Sequence, residues 1–262
     1  MVERYKRGKG KHQLMGNHQK CWTWGRNLIL ETLKAGRWQI HDLWLSTDLP
    51  AEQIATIRTM AEALEVPVNV VAADQIRGKC HSSEHQGYAA RMTEFCYTDT
   101  ERLDEILAAS RSPFVVVCDS IQDPFNFGAI IRTAEVMAVD AIVIGESHQV
   151  GVTSMVARAS AGAVNHVPLV QVEELVATVA RCKPALKVIG ASEKSETPLF
   201  QQDLTVPTAV VIGNEGQGIS PELLAECDVL VQIPQSGQIE SLNAAVSAGI
   251  FFYEARRQRM QA

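Results

Sequence analysis

The chain has 262 residues, 46% of them apolar and 21% charged, with a formal net charge of −6. That length suits one large domain or two modest ones with an ample core, and the balance of residue types is ordinary for a globular protein in water. No apolar run approaches the roughly 18–20 residues that cross a bilayer, which argues against a membrane partner.

The first segment, residues 1–20, holds Arg4, Lys6, Arg7, Lys9, Lys11 and Lys20 against Glu3 alone, a local +5 that leaves −11 for the remainder. It reads as a basic flexible arm, either a solubilising tail or a source of local phosphate contacts. No apolar stretch stands behind it, so it does not read as a secretory signal. An acidic body disfavours blanket nucleic-acid binding. Cys21, Cys80, Cys96, Cys118, Cys182 and Cys227 are scattered without a C-x-x-C pair. They read as reduced thiols of a cytoplasmic protein.

Residues 21–92 read as a small α/β unit. Leu28, Ile29 and Leu33 give helical spacing over Arg26–Ala35, which stops at Gly36. A short strand at 42–46, a helix over 50–64, a strand at Val68–Val71 and another at 87–91 follow. Cys80, His81 and His85 sit close enough to suggest a metal site, but no fourth ligand is evident, so no metal is expected. Trp22 and Trp24 read as packing residues rather than base-stacking platforms. Residues 93–112, with a short helix ending near Ala109, read as a linker.

From residue 113 to 262 the pattern becomes regular. Apolar strand runs at Phe114–Cys118, Ala141–Gly145, 167–170, Lys187–Ala191, 209–213 and 229–233 alternate with helices over 129–139, 153–161, 173–182, Pro221–Glu226 and 242–259. Near-continuous apolar strands between helices predict an α/β fold with a parallel sheet covered on both faces. Ligands of such sheets bind beyond the carboxyl ends of the strands, where the loops 119–128, 213–219 and 234–241 converge. There is no internal repeat.

Those three loops hold the candidate chemistry. The first, with Asp119, Pro124, Asn126, Gly128 and Arg132, lacks G-x-G-x-x-G, and no G-x-x-x-x-G-K-[ST] occurs anywhere, which disfavours a dinucleotide or nucleoside-triphosphate enzyme. Asn126 is placed to cap the following helix. Arg132 taken alone reads as structural, a surface pair with Glu135 or an Asp, rather than as a site residue. In the second loop Asn214 and Glu215 follow Gly213, with Gly216 and Gly218 close behind. Glycines admit a ligand closely, but a carboxylate among them repels phosphate, so the ligand is not a plain anion; a tight turn with a solvated Glu is the competing account. The third loop passes Ile233, Gly237, Ser241, Leu242 and Asn243 into a helix with Ala244, Ala245, Ala248 and Gly249, small residues that admit another backbone. Ser241 is placed as its cap and Asn243 in its first turn.

Together, Asn126-Phe-Gly-Ala-Ile-Ile-Arg132, Ile212-Gly-Asn-Glu-Gly-Gln-Gly218 and Ile233-Pro with Gly237 and Ser241-Leu-Asn243 resemble the three motifs of the SpoU (TrmH-type) RNA 2′-O-ribose methyltransferases of the SPOUT superfamily. The resemblance is good over about 114–259. It reaches forward through Trp24-Gly-Arg-Asn-Leu-Ile-Leu-Glu-Thr-Leu33 and His85-Gln-Gly-Tyr88, which resemble the family's ribosomal-protein-like, RNA-binding domain, best known in bacterial 23S rRNA guanosine methyltransferases. The chain departs from the family at Phe125 and Phe127, often His and Leu there, at Gln235, commonly Met, and at Ala244-Ala245, commonly Val-Ser.

The resemblance implies a C-terminal trefoil knot, an exception to the rule against threading, that binds S-adenosylmethionine bent, chiefly through main-chain groups. It assigns cofactor contacts to Gly213, Asn214, Gly218, Ile233, Gly237 and Leu242. A sulfonium tolerates the Glu that phosphate would not. Arg132 takes the central catalytic role, as base or organiser of the ribose hydroxyl; a guanidinium with a pKa above roughly 12 favours organiser. Asn126, Glu215, Ser241 and Asn243 fix Arg132, the loop and the ribose. Arg26, Asn27, His85 and Gln86 are the expected RNA contacts, and the active site is completed across a homodimer, with the small-residue stretch 242–249 as candidate interface. The expected function is methylation of a guanosine 2′-hydroxyl in 23S rRNA; the alternatives are tRNA ribose methylation, or a non-catalytic RNA-binding or ribosome-assembly protein on the same fold.

Overall fold

The computed structural model describes residues 21–238 and 241–261; the basic arm expected at 1–20 lies outside them. The described residues form two compact units, one of 21–26 and 38–95, the other of 27–37 and 96–261.

The described residues open with β1 (Trp22–Trp24) and α1 (Arg26–Ala35). From Asn27 onward α1 packs with the second unit, where Asn165 Nδ2 donates to Thr32 Oγ1 at 3.0 Å. The first unit continues through β2 (Ile40–Ser46), α2 (Ala51–Glu62), β3 (Val68–Val71), α3 (Ala73–Cys80) and β4 (Tyr88–Met92). Its sheet runs β1-β4-β2-β3, antiparallel except for the β2/β3 pair. Under α3, Trp22 meets Trp44 edge-on at 5.0 Å in a cluster with Cys21, Ile76, Cys80 and Ala89, so Trp22 packs in the core as its large apolar surface demands. Neither β1 nor α3 is among the elements expected from sequence.

After α4 (Thr100–Ala109), the second unit lays down β5 (Phe114–Cys118), α5 (Pro124–Val136), β6 (Ala141–Gly145), α6 (Ser154–Ala159), β7 (Leu169–Val172), α7 (Leu175–Cys182), β8 (Lys187–Ala191), β9 (Thr208–Ile212), α8 (Pro221–Glu226), β10 (Val229–Val231) and α9 (Ala244–Arg259). The six strands are parallel in the order β10-β8-β9-β5-β6-β7. Every residue of β5, β6 and β9 is buried, as strands covered on both faces require. The chain starts at β5, builds outward through β6 and β7, then crosses to build the other side. The order therefore reverses between β5 and β9, and the crevice outside their carboxyl ends is where doubly wound sheets bind ligands. No helix among the described residues is long and apolar enough to cross a membrane.

The last helix is pinned at its far end. Arg259 donates to the backbone oxygens of Ser112, Leu204 and Val206 at 2.6–2.9 Å and lies over the Phe114 ring at 4.9 Å. The start of α9 is thereby held against the sheet edge where the loops gather.

Candidate active site

Both helices that flank the crevice begin one or more residues from where the sequence places them. Asp123, not Asn126, caps α5: its Oδ1 accepts from Phe125 N and Asn126 N at 2.7 and 2.8 Å, with Pro124 at the first helical position, where its missing N–H costs nothing. Likewise Asn243, not Ser241, caps α9, accepting from Ala245 N and Val246 N at 2.9 and 3.2 Å. Both corrections free a side chain. Asn126, inside the first turn, points its amide away from its own helix, and the Asn243 amide nitrogen is left over once its oxygen serves as the cap.

These freed groups join the three loops. Asn126 Nδ2 donates to Glu215 Oε1 at 2.9 Å, and Asn126 Oδ1 accepts from Asn243 Nδ2 at 2.9 Å. Each amide orientation dictates the next. A carboxylate only accepts, so Asn126 must turn its nitrogen to Glu215 and its oxygen to Asn243. Asn243 must then show its nitrogen to Asn126 and its oxygen to the N–H groups of α9, the polarity a helix N-terminus needs.

The second loop is a closed turn. Asn214 and Gly218 exchange both backbone hydrogen bonds at 2.9 Å, and Asn214 Oδ1 accepts from Gly216 N and Gln217 N at 2.9 and 3.1 Å. A Cβ on Gly213 would fall 2.2 Å from the Gly218 carbonyl carbon, so only glycine lets the two backbones close the ring. Gly218 has φ +74, and a Cβ there would meet nothing within 4 Å. The far side of the turn therefore presents open main chain. Asn214 Nδ2 also donates to Ser120 O at 2.7 Å, and buried Asp119 accepts from Ser220 N at 2.6 Å. Sequence reasoning singled out neither Asp119 nor Ser120 as site residues; an acidic residue directly behind an apolar strand was the available signal.

Other predicted residues make fewer contacts. Arg132 lies on the exposed face of α5, six residues or about 9 Å of helix rise beyond Asn126, and makes no hydrogen bond or ion pair among the described residues. Ile233 is half-buried, and Gly237, Ser241 and Leu242 are exposed along the third loop. In the first unit the Arg26 backbone N–H donates to Gln86 Oε1 at 2.9 Å, and both residues are exposed. His85 is buried and accepts from Gly87 N at its Nδ1. Asn27 is exposed on α1 in the second unit. Among the described residues no group of three His, Cys, Asp or Glu side chains is placed to hold a metal. The small residues of α9 do not form an outer face: Ala244 and Ala248 are buried, and Gly249 faces Thr133 of α5.

The donor set fits a cationic nucleoside cofactor. The open space beside Gly218 and the apolar Ile233 and Leu242 suit an adenosine, while Glu215 in the turn and Asp119 at its exit make the surroundings negative. The thiol of Cys118, fully buried at the end of β5, is pushed up to about 12 by desolvation and then by the charges of Asp119 and Glu215, which places both carboxylates near one point. That field favours a sulfonium and opposes a phosphate.

Residues 113–253 match the SpoU rRNA methylase family model, and residues 22–98 match the model for RNA 2′-O ribose methyltransferase substrate binding. A Shewanella oneidensis protein named 23S rRNA (guanosine-2′-O-)-methyltransferase RlmB is 33% identical over 236 residues, 90% of this chain and 96% of that one. A Bacillus subtilis protein named putative TrmH family tRNA/rRNA methyltransferase YacO is 31% identical over 248 residues, 93% and 98% of the two chains. Among solved structures, the SpoU methyltransferase AviRb from Streptomyces viridochromogenes in complex with AdoMet aligns with a TM-score of 0.75 at 26% identity, covering 92% of this chain and 91% of that one. The AdoMet-bound rRNA methyltransferase from Sinorhizobium meliloti aligns with a TM-score of 0.75 at 25% identity, covering 91% and 87%. With a family model over more than half of the sequence and relatives about a third identical along nearly all of it, the chain belongs to the SpoU rRNA methylase family.

Proposed function

We propose that this protein transfers a methyl group from S-adenosylmethionine to the ribose 2′-hydroxyl of a guanosine in 23S rRNA. The observation that carries the reading is the Glu215–Asn126–Asn243 relay, which gathers all three family motifs at the point where the strand order reverses. The guanosine and the 23S rRNA come from the name of the Shewanella relative, and the cofactor from the AdoMet-bound neighbours.

Gly213, Asn214, Gly218, Ile233, Gly237 and Leu242 would hold the cofactor, which supplies an electrophilic methyl group. A trefoil knot through the last strands, the third loop and α9 would wrap it; an experimental trace in which 233–243 does not thread the chain would remove that part. Asn126, Glu215, Ser241 and Asn243 set the geometry of the loops and the ribose. Holding the hydroxyl in line with the methyl group supplies much of the rate, since orientation is worth up to about 7–11 kcal/mol. A guanidinium offers donors and no acceptor, so the role of Arg132 would be to donate to the 2′-oxygen and the neighbouring phosphate and stabilise the charge that develops as the hydroxyl proton passes to water. In the first unit exposed Arg26 and Gln86 would contact RNA, with buried His85 holding the loop that carries Gln86; exposed Asn27, in the second unit, would be a further RNA contact.

Arg132 shares an outer face of α5 with Phe125 and Val136, and α9, packed beside α5, adds Val246, Ile250 and Tyr253, all of them exposed. Apolar side chains gathered this way mark an interface. A second copy covering this stripe would bring Arg132 into a completed site, so the active form is a homodimer; sedimentation as a monomer at micromolar concentration would contradict it. The reaction belongs in the cytoplasm, which fractionation of expressing cells checks.

Titration with S-adenosylmethionine, followed by transfer of labelled methyl into isolated 23S rRNA and bulk tRNA, tests the function. Binding and labelling of 23S rRNA are expected. Labelling of tRNA alone would move the substrate, and no binding would leave a non-catalytic RNA-binding protein.

A further inference from the structure

Asp119 has no place in the reading above, yet it is 5% exposed and has no cationic partner among the described residues. Burying a carboxylate without a counter-ion is costly and persists where its hydrogen bonds are needed. Those bonds are specific. Its backbone N–H donates to Ile212 O at 2.9 Å, extending the β5–β9 ladder one residue past the strands. One carboxylate oxygen accepts from Ser220 N at 2.6 Å and the other from Ser120 Oγ at 3.1 Å. Ser120, held at φ +61, turns its carbonyl to accept from Asn214 Nδ2 at 2.7 Å.

The turn 213–218 is therefore gripped at both ends from one dipeptide. Ser120 holds its entry at Asn214, and Asp119 holds its exit at Ser220. The turn closes internally through Asn214 and Gly218 and is tied to the sheet end by these two hydrogen-bonded anchors, by Glu215 at its tip and by Ile219 just past it, buried in the core.

We propose that Asp119 is a positioning residue for the cofactor: it fixes the depth and tilt of the 213–218 turn against the end of β5, so that the open main chain of Gly216–Gly218 is presented in one orientation. The inference rests on the reading that this turn holds S-adenosylmethionine. Without the anchor, the turn still closes on itself but rocks about Asn214, and binding must spend free energy to order it.

The test uses the full-length protein, with S-adenosylmethionine affinity by calorimetry and thermal unfolding in parallel. Asp119→Ala should weaken binding about tenfold or more, corresponding to about 1.4 kcal/mol. Asp119→Asn keeps an acceptor oxygen for Ser220 and should stay within about threefold of the unaltered protein. Ser220→Pro removes the gripped N–H at a residue with φ −60, which proline accepts, and should match Asp119→Ala. The double variant should be no worse than Asp119→Ala alone, because that change already removes the Ser220 bond together with the Ser120 one. Additive losses, or an Asp119→Asn variant as weak as Asp119→Ala, would overturn the anchor. So would an Asp119→Ala variant that binds normally while the unaltered protein binds. If Asp119→Ala fails to fold, Ser220→Pro and Asp119→Asn carry the comparison alone. No binding by the unaltered protein would overturn the cofactor reading itself, and the inference with it.

Discussion

Replacing Asn126 with Asp changes one atom of the relay and reverses its logic. The amide nitrogen that donates to Glu215 at 2.9 Å becomes a carboxylate oxygen facing another. At that separation two unit charges repel by about 1.4 kcal/mol in water and about 6 kcal/mol at an effective dielectric of 20. Glu215 is exposed, so screening holds the pair near the lower figure. The lost hydrogen bond to a charged acceptor adds about 1.5–3 kcal/mol. Together, at about 3–4.4 kcal/mol, these predict S-adenosylmethionine affinity weakened by roughly a hundredfold to a thousandfold at pH 8. The pH dependence separates charge from shape. A like-charged neighbour raises a carboxylate pKa, so as pH falls towards 5 one of the pair takes up a proton, donates to the other, and restores part of the contact. Asn126→Ala loses the hydrogen bond without the repulsion and should show a smaller, pH-independent defect. Isothermal titration of both variants across pH 5–8 is the assay. Equal, pH-independent losses in the two variants, or normal binding by Asn126→Asp at pH 8, would refute the relay.

The other predictions are simpler. Arg132→Ala should abolish methyl transfer while leaving cofactor affinity nearly intact, since Arg132 touches none of the turns; near-normal turnover would remove it from the mechanism. Gly213→Ala forces a Cβ to 2.2 Å from a backbone carbon, and the turn must open; we expect loss of cofactor binding and about 1–3 kcal/mol of stability, as for other overpacked sites, read by calorimetry and denaturant unfolding. At pH 8 a thiol with its pKa pushed up to about 12 is ionised in about one molecule in ten thousand. Iodoacetamide should therefore modify exposed Cys96 and spare Cys118 in the native protein; mass spectrometry showing equal labelling would contradict the burial.

Much of the second unit is legible in the sequence because burial on both faces writes a strand as an unbroken apolar run. β5, β6 and β8 stand where the sequence places them, residue for residue. In the first unit β3 does so too. β1 has three residues, too few for any period to register, and α3 contains Gly78 and a mainly polar surface, so tertiary packing on Trp22 and Trp44 makes it a helix where local preference does not. The helix starts differ from those the sequence suggests for a common reason. Asn and Ser are good caps anywhere, but Asp123 stands directly before Pro124, and that pairing carried the stronger signal. The three motifs are readable as motifs, whereas the relay is not: a sequence lists Asn126, Glu215 and Asn243 without saying which amide faces which. Asp119 was the least legible, since a buried anchor and a solvated loop acid are the same letter.

The most direct test of the whole account is nucleoside analysis of RNA methylated by the purified protein. Digestion of 23S rRNA labelled from S-adenosylmethionine should release 2′-O-methylguanosine, with the label lost in parallel for Arg132→Ala. Label on a base, or on no nucleoside at all with RNA and cofactor both in excess, would contradict the claim that these three turns deliver a methyl group to a ribose oxygen.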